Sequence, residues 1–498
     1  MQFISTRGEE RVSGAQAIVQ GIAKDGGLFV PAEFPTVTGE ELERMLEMDY
    51  PERAALILSK YFDEYDHDEL LARLEEAYSQ FEDGDPAPLV KVENGMFMLE
   101  LFHGPTCANK DLSIAVLPYL LQKGCEILGI NENILLLTAT SGDAGKAALE
   151  CFRDLERVKV AVFYPDDGVS KMQKLQLGTQ DGENLNVTAV RGSFDDCKAG
   201  VRKIFASEKC VNALREKGYL LSTAESLNFG VLAPQICYFF SAYLDLVSSE
   251  QIKLGDRVNF AMPAANFGNI IAAYYARRMG LPVGTLVCAS NKNCALTDFL
   301  RRGTFDGKRS LHKTMSPSLD VLVPANLERL LFETSGRDAL LTSERMTALS
   351  QTGKYSVRAE EIKELSQLIF AGFTSEDDTV DCMYEFFTEY GYPMDTHTGV
   401  AMNVALKYEE KTEDDINAER RPMVVVAAAS PYKFPQDVLY ALTGNDVKDS
   451  FKGVKRINLL TAMKVPECLK AIRYKPPRFK TVISADKMLQ EIVSFIGE

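Results

Sequence analysis

Parallel β-sheets buried on both faces and alternating with helices are the α/β fold class that this sequence predicts, on three observations. Short continuous apolar runs recur, among them ILLLTA (134–139), VKVAVFYP (158–165), LNVTAV (185–190), VNFAMP (258–263), LPVGTLVCAS (281–290) and MVVVAAAS (423–430). Each ends in small or turn-forming residues, and helical patterns follow, such as KAALECFRDL, IIAAYYARRMG and PQDVLYALTG. Unbroken apolar strands separated by helices are the pattern of strands covered by helices on both sides.

The chain has 498 residues, more than one core holds, so two or three domains are expected. Residues 1–88 form a separate N-terminal unit. Charged helical patterns fill it, and FEDGDPAPLV breaks them with Gly, Asp and Pro. Residues 89–130 and 245–445 are expected to build a large domain carrying a helical, charged insertion at about 330–395. Residues 131–244 form a smaller domain, and 446–498 a C-terminal segment without a clear pattern.

A net charge of −16 (55 basic and 71 acidic residues) argues against nucleic acid and anionic membranes as partners, and leaves small anions open. The ten cysteines include no Cys-x-x-Cys pair and sit in apolar runs, as free thiols of a reducing cytosol do. Four dispersed histidines and the absence of His-Glu-x-x-His predict no metal site. The opening MQFISTRGEERVS lacks a signal-peptide core, and no apolar run looks long enough to span a bilayer, so a cytoplasmic location is expected.

Ligands of open α/β sheets sit beyond the C-terminal ends of strands, beside helix N-termini. In HGPTCANKDLSIAVLPYLL a Gly-Pro turn delivers Lys110 to the start of an apolar helix. The positive end of the helix dipole favours a neutral, nucleophilic amine, as Schiff-base chemistry requires. The alternative is a solvated lysine at a helix start. TATSGDAGKAA offers close backbone approach and free N–H groups, with the Ser141 hydroxyl and Lys146 charge nearby. It would equally serve as a plain turn capped by Asp143. PAANFGN opens a helix with Asn266, Phe267, Gly268 and Asn269, and AAASPYKFP places Ser430 after a strand as a ligand contact or a helix cap. Two anion-type loops and a Schiff-base lysine together suggest pyridoxal 5′-phosphate, which has a phosphate and an aldehyde.

The chain resembles the threonine synthase family, pyridoxal-phosphate enzymes of fold type II. The likeness is carried by FISTRG, GIAKDGGLFVP, ELFHGPTCANKDLS, TSGDAGKAA, FYPDDGVSKMQKLQ, RGSFDDCKAGV, PAANFGN, ASNKN, TMSPSLD, ANLERLL, MDTHTGVA and SPYKFP, in the family's order. It implies two three-layer parallel-sheet domains and a small N-terminal domain. Lys110 would hold the cofactor as a Schiff base and move protons at the substrate's Cα and Cβ. Asn266, Phe267, Gly268, Asn269 and Ser430 would bind the cofactor. Ser141, Gly142, Asp143, Ser226, Asn228, Asn326 and Arg329 would bind the substrate. The implied reaction converts O-phosphohomoserine and water to threonine and phosphate, by a monomer or a homodimer.

The departures from that pattern lie in the loops nearest the chemistry. Where the family reads roughly SANSINIGR, this chain reads STAESLNFGV, so Glu225 replaces Asn, and Val231 replaces an Arg expected at the substrate phosphate. Ala144, Ala264, Ala325 and Ala428 replace hydroxyl-bearing residues. Ala265 stands where glycine would permit positive φ, Asn109 replaces Phe, and Cys294 replaces an acidic residue. These changes leave two alternatives: the same cofactor acting on another amino acid as a lyase or deaminase, or a catalytically impaired relative serving as a binding subunit.

Overall fold

Two parallel sheets organise the computed structural model, which describes residues 1–82, 84–93, 95–413 and 420–497. The larger has six strands, in the order Ile369–Phe373, Val283–Ser290, Val258–Pro263, Met423–Ala427, Met96–Glu100 and Leu89–Glu93. All are parallel except the last, which returns antiparallel on Met96–Glu100. The smaller has five parallel strands: Val482–Ser484, Leu185–Arg191, Val158–Pro165, Asn133–Ala139 and Tyr219–Ser222. Each sequence-predicted strand is present. Met423–Ala427 and Val258–Pro263 are buried at every position, as sheets covered on both faces require.

The N-terminal unit opens with a three-stranded antiparallel sheet, Arg11–Ser13, Gln2–Ser5 and Phe29–Pro31. Helices Gly39–Met45 and Tyr50–Tyr61 follow, each begun by a reciprocal capping box (Thr38 with Glu41, Asp49 with Glu52). Phe3, Tyr61 and Phe62 pack edge-on against Phe229, which fastens this unit to the helix Phe229–Ser248.

Several expectations need correction. Helix Phe229–Ser248 is long and apolar enough to cross a membrane, contrary to the sequence reading. It is a core helix, buried along most of its length between the helices Tyr50–Tyr61 and Gly268–Arg278. Its packing therefore lies with the large domain and the N-terminal unit, although the chain enters it from the small sheet. The 330–395 region is more than helical: Ile369–Phe373 becomes the edge strand of the large sheet, and Lys354–Ser356 pairs with Thr304–Asp306. The C-terminal segment also has a place, since Val482–Ser484 extends the small sheet and Met488–Gly497 covers a face of it through Met488, Ile492 and Phe495.

Candidate active site

The two sheets turn the C-terminal ends of their strands toward one cavity. Lys110, Thr140, Ser141, Asp143, Glu225, Ser226, Asn266 to Asn269, His397 and Ala428 are among its lining residues. A larger cleft, about 1800 Å³, runs between the N-terminal unit, the helix Phe194–Phe205 and residues 307–353. It contains neither Lys110 nor the strand-end loops, so the smaller cavity is the chemical candidate.

The Lys110 loop is fixed from three directions. Asp111 accepts the Thr106 N–H (2.8 Å) and hydroxyl (2.6 Å), and its side chain lies so close to Gly104 that a Cβ there would come within 2.4 Å of it. Asn109 N–H donates to Ala428 O at 2.8 Å, and Ser430 N–H to Cys107 O at 3.1 Å, tying the loop to the end of Met423–Ala427. Lys433 Nζ donates to Thr106 O at 2.8 Å and pairs with Asp143 Oδ1 at 2.6 Å, both from a fully buried position. Lys110 is the first residue of its helix, but that helix is only Lys110–Ile114. Burial, rather than the dipole of so short a helix, pushes the ammonium down to about 8, and the Asp143 carboxylate opposes the shift.

On the small-sheet side, Thr140 Oγ1 accepts N–H donors from Gly142 and Gly145, both at 2.9 Å. Gly142 has φ 125°, and a Cβ there would collide with Gln173 at 2.5 Å, so this turn requires glycine. Asp143 does not cap the helix. Its Oδ1 takes Gln173 Nε2 at 2.8 Å and the Lys433 ion pair, which holds the carboxyl below its usual range against the opposing effect of burial. The Ser141 hydroxyl stands 3.5 Å from that of Ser318.

On the large-sheet side, the left-handed residue is Phe267 (φ 64°), not Ala265. Phe267 turns the chain into the helix Gly268–Arg278, whose first amides, Gly268 and Asn269, have no intrahelical acceptor. Asn266 Oδ1 accepts Ala325 N–H at 2.8 Å, and Asn269 Oδ1 accepts Tyr238 OH at 3.0 Å and Asn109 Nδ2 at 3.3 Å. The side chains thus brace the turn, leaving the backbone donors for an anion.

Ser226 reaches the cavity, held by Asn326 Nδ2 at 2.8 Å. Asn228, Asn326 and Arg329 do not line it. Asn228 caps Phe229–Ser248 through Gly230 N–H and donates to Ile18 O at 2.9 Å. Arg329, fully buried, donates to Phe29 O, Ser226 O (2.9 Å) and Leu227 O (2.6 Å), and to Asn326 Oδ1. Gly142 also lies off the lining, as does Ser430, whose hydroxyl accepts Tyr432 N–H at 3.4 Å.

Of the departures from the family pattern, Glu225, Val231, Ala144, Ala265, Ala428 and Asn109 line the cavity. Glu225 Oε1 accepts Ala139 N–H at 2.8 Å, and burial pushes its carboxyl up to about 7. Sequence reasoning missed His397. Its Nδ1–H faces Asp395 Oδ1 at 2.8 Å, which leaves Nε2 to accept Ser318 N–H at 3.1 Å, so the tautomer is fixed from both sides. MDTHTGVA was its only signal. Among the described residues no group of three or more His, Cys, Asp or Glu gathers as metal ligands would.

A half-buried lysine and an anion-ready helix start, lining one cavity at the strand ends of two parallel sheets, are the layout of the fold type II enzymes. The solved structure of a PLP-bound threonine synthase from Brucella melitensis superposes with a TM-score of 0.84, covers 100% of this chain and 98% of its own, and is 31% identical. Residues 2–78 match the family model for the threonine synthase N terminus. The chain is 34% identical over 440 residues to the threonine synthase of Pseudomonas aeruginosa, covering 88% of this chain and 90% of that one. It is 36% identical over 470 residues to human threonine synthase-like 1, covering 90% of this chain. It spans 62% of the length of that relative. The chain belongs to the threonine synthase family.

Proposed function

We propose that this chain is a pyridoxal-5′-phosphate-dependent lyase of threonine synthase type, converting O-phosphohomoserine and water to threonine and phosphate. The observation that carries the reading is the pairing, in one cavity, of Lys110 with the unpartnered amides of Gly268 and Asn269. A phosphorylated aldehyde needs an amine that can shed its proton near physiological pH and a fixed set of anion donors; a Lys110 pKa of about 8 and the helix-start amides supply them. Lys110, Asn266, Phe267, Gly268 and Asn269 would hold the cofactor, with Ser430 shaping the turn beside it.

The bound cofactor supplies an electron sink for a carbanion at the substrate Cα. Lys110, with a pKa near 8, exchanges a proton with carbon-bound positions without a large energetic mismatch. Ser141 and Ser226 present hydroxyls to the cavity, suited to a polar substrate group. The free cysteines support a reducing, cytoplasmic setting.

The purified chain with added pyridoxal phosphate should gain a visible absorbance band that Lys110→Ala abolishes, and should release phosphate from O-phosphohomoserine. A chain that takes up no cofactor would refute the reading. A second reading, favoured by Glu225 and Val231 on the cavity wall, keeps the cofactor and replaces the substrate by a non-phosphorylated amino acid. Cofactor uptake without phosphate release, accompanied by keto-acid formation from another amino acid, would select it.

A further inference from the structure

The Lys110 loop carries a second feature that the proposed chemistry does not use. Cys107 lies three residues before Lys110, almost fully buried, with a left-handed backbone (φ 61°). Its Sγ lies 3.2 Å from Sγ of Cys468, on the short helix Glu467–Ala471 of the C-terminal segment. The two thiols are 361 residues apart in sequence, and Cys468 is half-buried, so a small oxidant can reach it. We propose that Cys107 and Cys468 form a reversible disulfide that fastens the C-terminal segment to the Lys110 loop, with a low-molecular-weight disulfide such as oxidised glutathione as oxidant.

The chemistry is matched to the pair. The two sulfurs are in hydrogen-bond contact, with either thiol able to donate; Cys468 is the more accessible, and the contact with Cys107 and the Lys433 charge lower the pKa of its thiol. The same hydrogen bond and burial hold Cys107 protonated. The more accessible partner, Cys468, is therefore the nucleophile. The Cys468 thiolate attacks one sulfur of the oxidant, forming a mixed disulfide and releasing one thiolate. Cys107 then gives up its proton, and its sulfur displaces the second thiolate from Cys468. Two protein thiols are oxidised by two electrons, the oxidant leaves as two thiols, and the protons balance.

Closure needs roughly 1 Å of approach, from hydrogen-bond contact to a bond of about 2.05 Å. Cys107 has little freedom to supply it, because its carbonyl is held by Ser430 N–H and its neighbour Thr106 by Lys433 and Asp111. The movement falls to the helix Glu467–Ala471. Partly exposed Cys210 and Cys294 have no thiol among their contacts and serve as internal controls, whereas burial pushes the Cys151 thiol far up and leaves it inert.

The test uses the full chain, incubated with oxidised glutathione, alkylated, digested and analysed by mass spectrometry without reduction. The expected result is one linked peptide pair joining Cys107 and Cys468, lighter by two hydrogen atoms and cleaved by dithiothreitol. Mixed disulfides alone are expected at Cys210 and Cys294, and none at Cys151. Amide exchange across residues 463–474 should slow by about tenfold in the linked protein, and Cys468→Ser should abolish both effects. Glutathione on the control cysteines with no Cys107–Cys468 link would overturn the proposal, as would a link from either cysteine to another partner. The measurement on the unmodified sequence stands even if the Ser variant folds poorly.

Discussion

Arg329→Met separates a bracing role from a substrate-binding role. The resemblance assigns Arg329 to the substrate, whereas its guanidinium is fully buried and donates to the carbonyls of Phe29, Ser226 and Leu227 and to Asn326. Methionine fills a similar space and donates nothing, so three buried backbone carbonyls lose these bonds. At about 1–3 kcal/mol per unsatisfied group, the gross loss is roughly 3–9 kcal/mol. Removing the guanidinium also removes its desolvation penalty, several kcal/mol for a buried ion. The remaining destabilisation is about 1–5 kcal/mol, the carbonyl loss net of the relieved desolvation.

Spread over a chain of 498 residues, that amount lowers Tm by only about 1–5 °C. Loss of structure should begin where Arg329 joins the N-terminal unit to the Ser226–Leu227 loop. Amide exchange at Phe29 and residues 226–228 should therefore accelerate far more than in the small sheet. Cofactor absorbance should persist, because Lys110 and the Gly268 turn are untouched. A variant with unchanged Tm and exchange but a KM raised tenfold or more would refute the reasoning and return Arg329 to the substrate.

The rate of pyridoxal phosphate uptake should rise with pH through a midpoint near 8, because only the neutral Lys110 amine reacts, whereas an ordinary lysine would still be gaining rate near pH 10. Asp143→Asn should move that midpoint lower, since it removes the carboxylate that stabilises the Lys110 ammonium and leaves the Lys433 charge nearby; stopped-flow absorbance reads both. Glu225→Gln should change the pH dependence of stability. With a folded pKa near 7, above its unfolded value, Glu225 gives its relative stabilisation below about pH 4 and loses it as pH rises through 7. Glutamine lacks that loss, so above pH 7 the variant should be more stable than the parent by about 2–4 kcal/mol in urea unfolding, and equal stabilities at pH 8 would count against a buried, uncompensated carboxylate. Lys433→Met should destabilise by about 3–5 kcal/mol, measured the same way, because Asp143 is left as a buried unpaired charge.

The central strands were legible because each is a run of apolar side chains covered on both faces, a pattern that survives without any knowledge of its neighbours. The edge strands were not. Leu89–Glu93 and Val482–Ser484 contain no fully buried residue, and LVKVE carries charges that read as loop. Ile369–Phe373 follows directly on the helix Ala359–Leu368, so its apolar residues read as a continuation of helical pattern. At the site, Lys110 and the Asn266–Asn269 turn declared themselves through glycine, proline and strand-to-helix punctuation. Asn228, Asn326 and Arg329 show the opposite limit. A polar residue in a family motif is equally suited to a ligand and to a buried carbonyl, and only packing distinguishes the two. His397 was invisible for a related reason: Asp395 is its near neighbour in the chain, but Ser318, which fixes its other ring nitrogen, is 79 residues away.

Glu225 shows how the same cavity can retain its cofactor chemistry while its substrate preference changes. The cofactor side depends on backbone donors, and no side-chain substitution removes an N–H at Gly268 or Asn269 short of proline. The substrate side depends on side chains, and there Val231 contributes no charge while Glu225 contributes a carboxyl with a single hydrogen bond from the protein, that of Ala139. A phosphate dianion approaching ionised Glu225 meets like charge in a poorly screened setting, which disfavours it strongly. Lys198 and Arg202 stand on the helix behind Glu225 and favour its ionised form, so they offset part of that repulsion. Lys198 is paired with Asp195 at 2.6 Å, and both Lys198 and Arg202 line the larger cleft rather than this cavity, so neither meets a ligand beside Glu225 directly. On the proposed reading, the protonation of Glu225 would decide which distal group the cavity accepts: a neutral carboxyl would donate to a phosphate oxygen, whereas the carboxylate would favour a substrate whose side chain carries a donor.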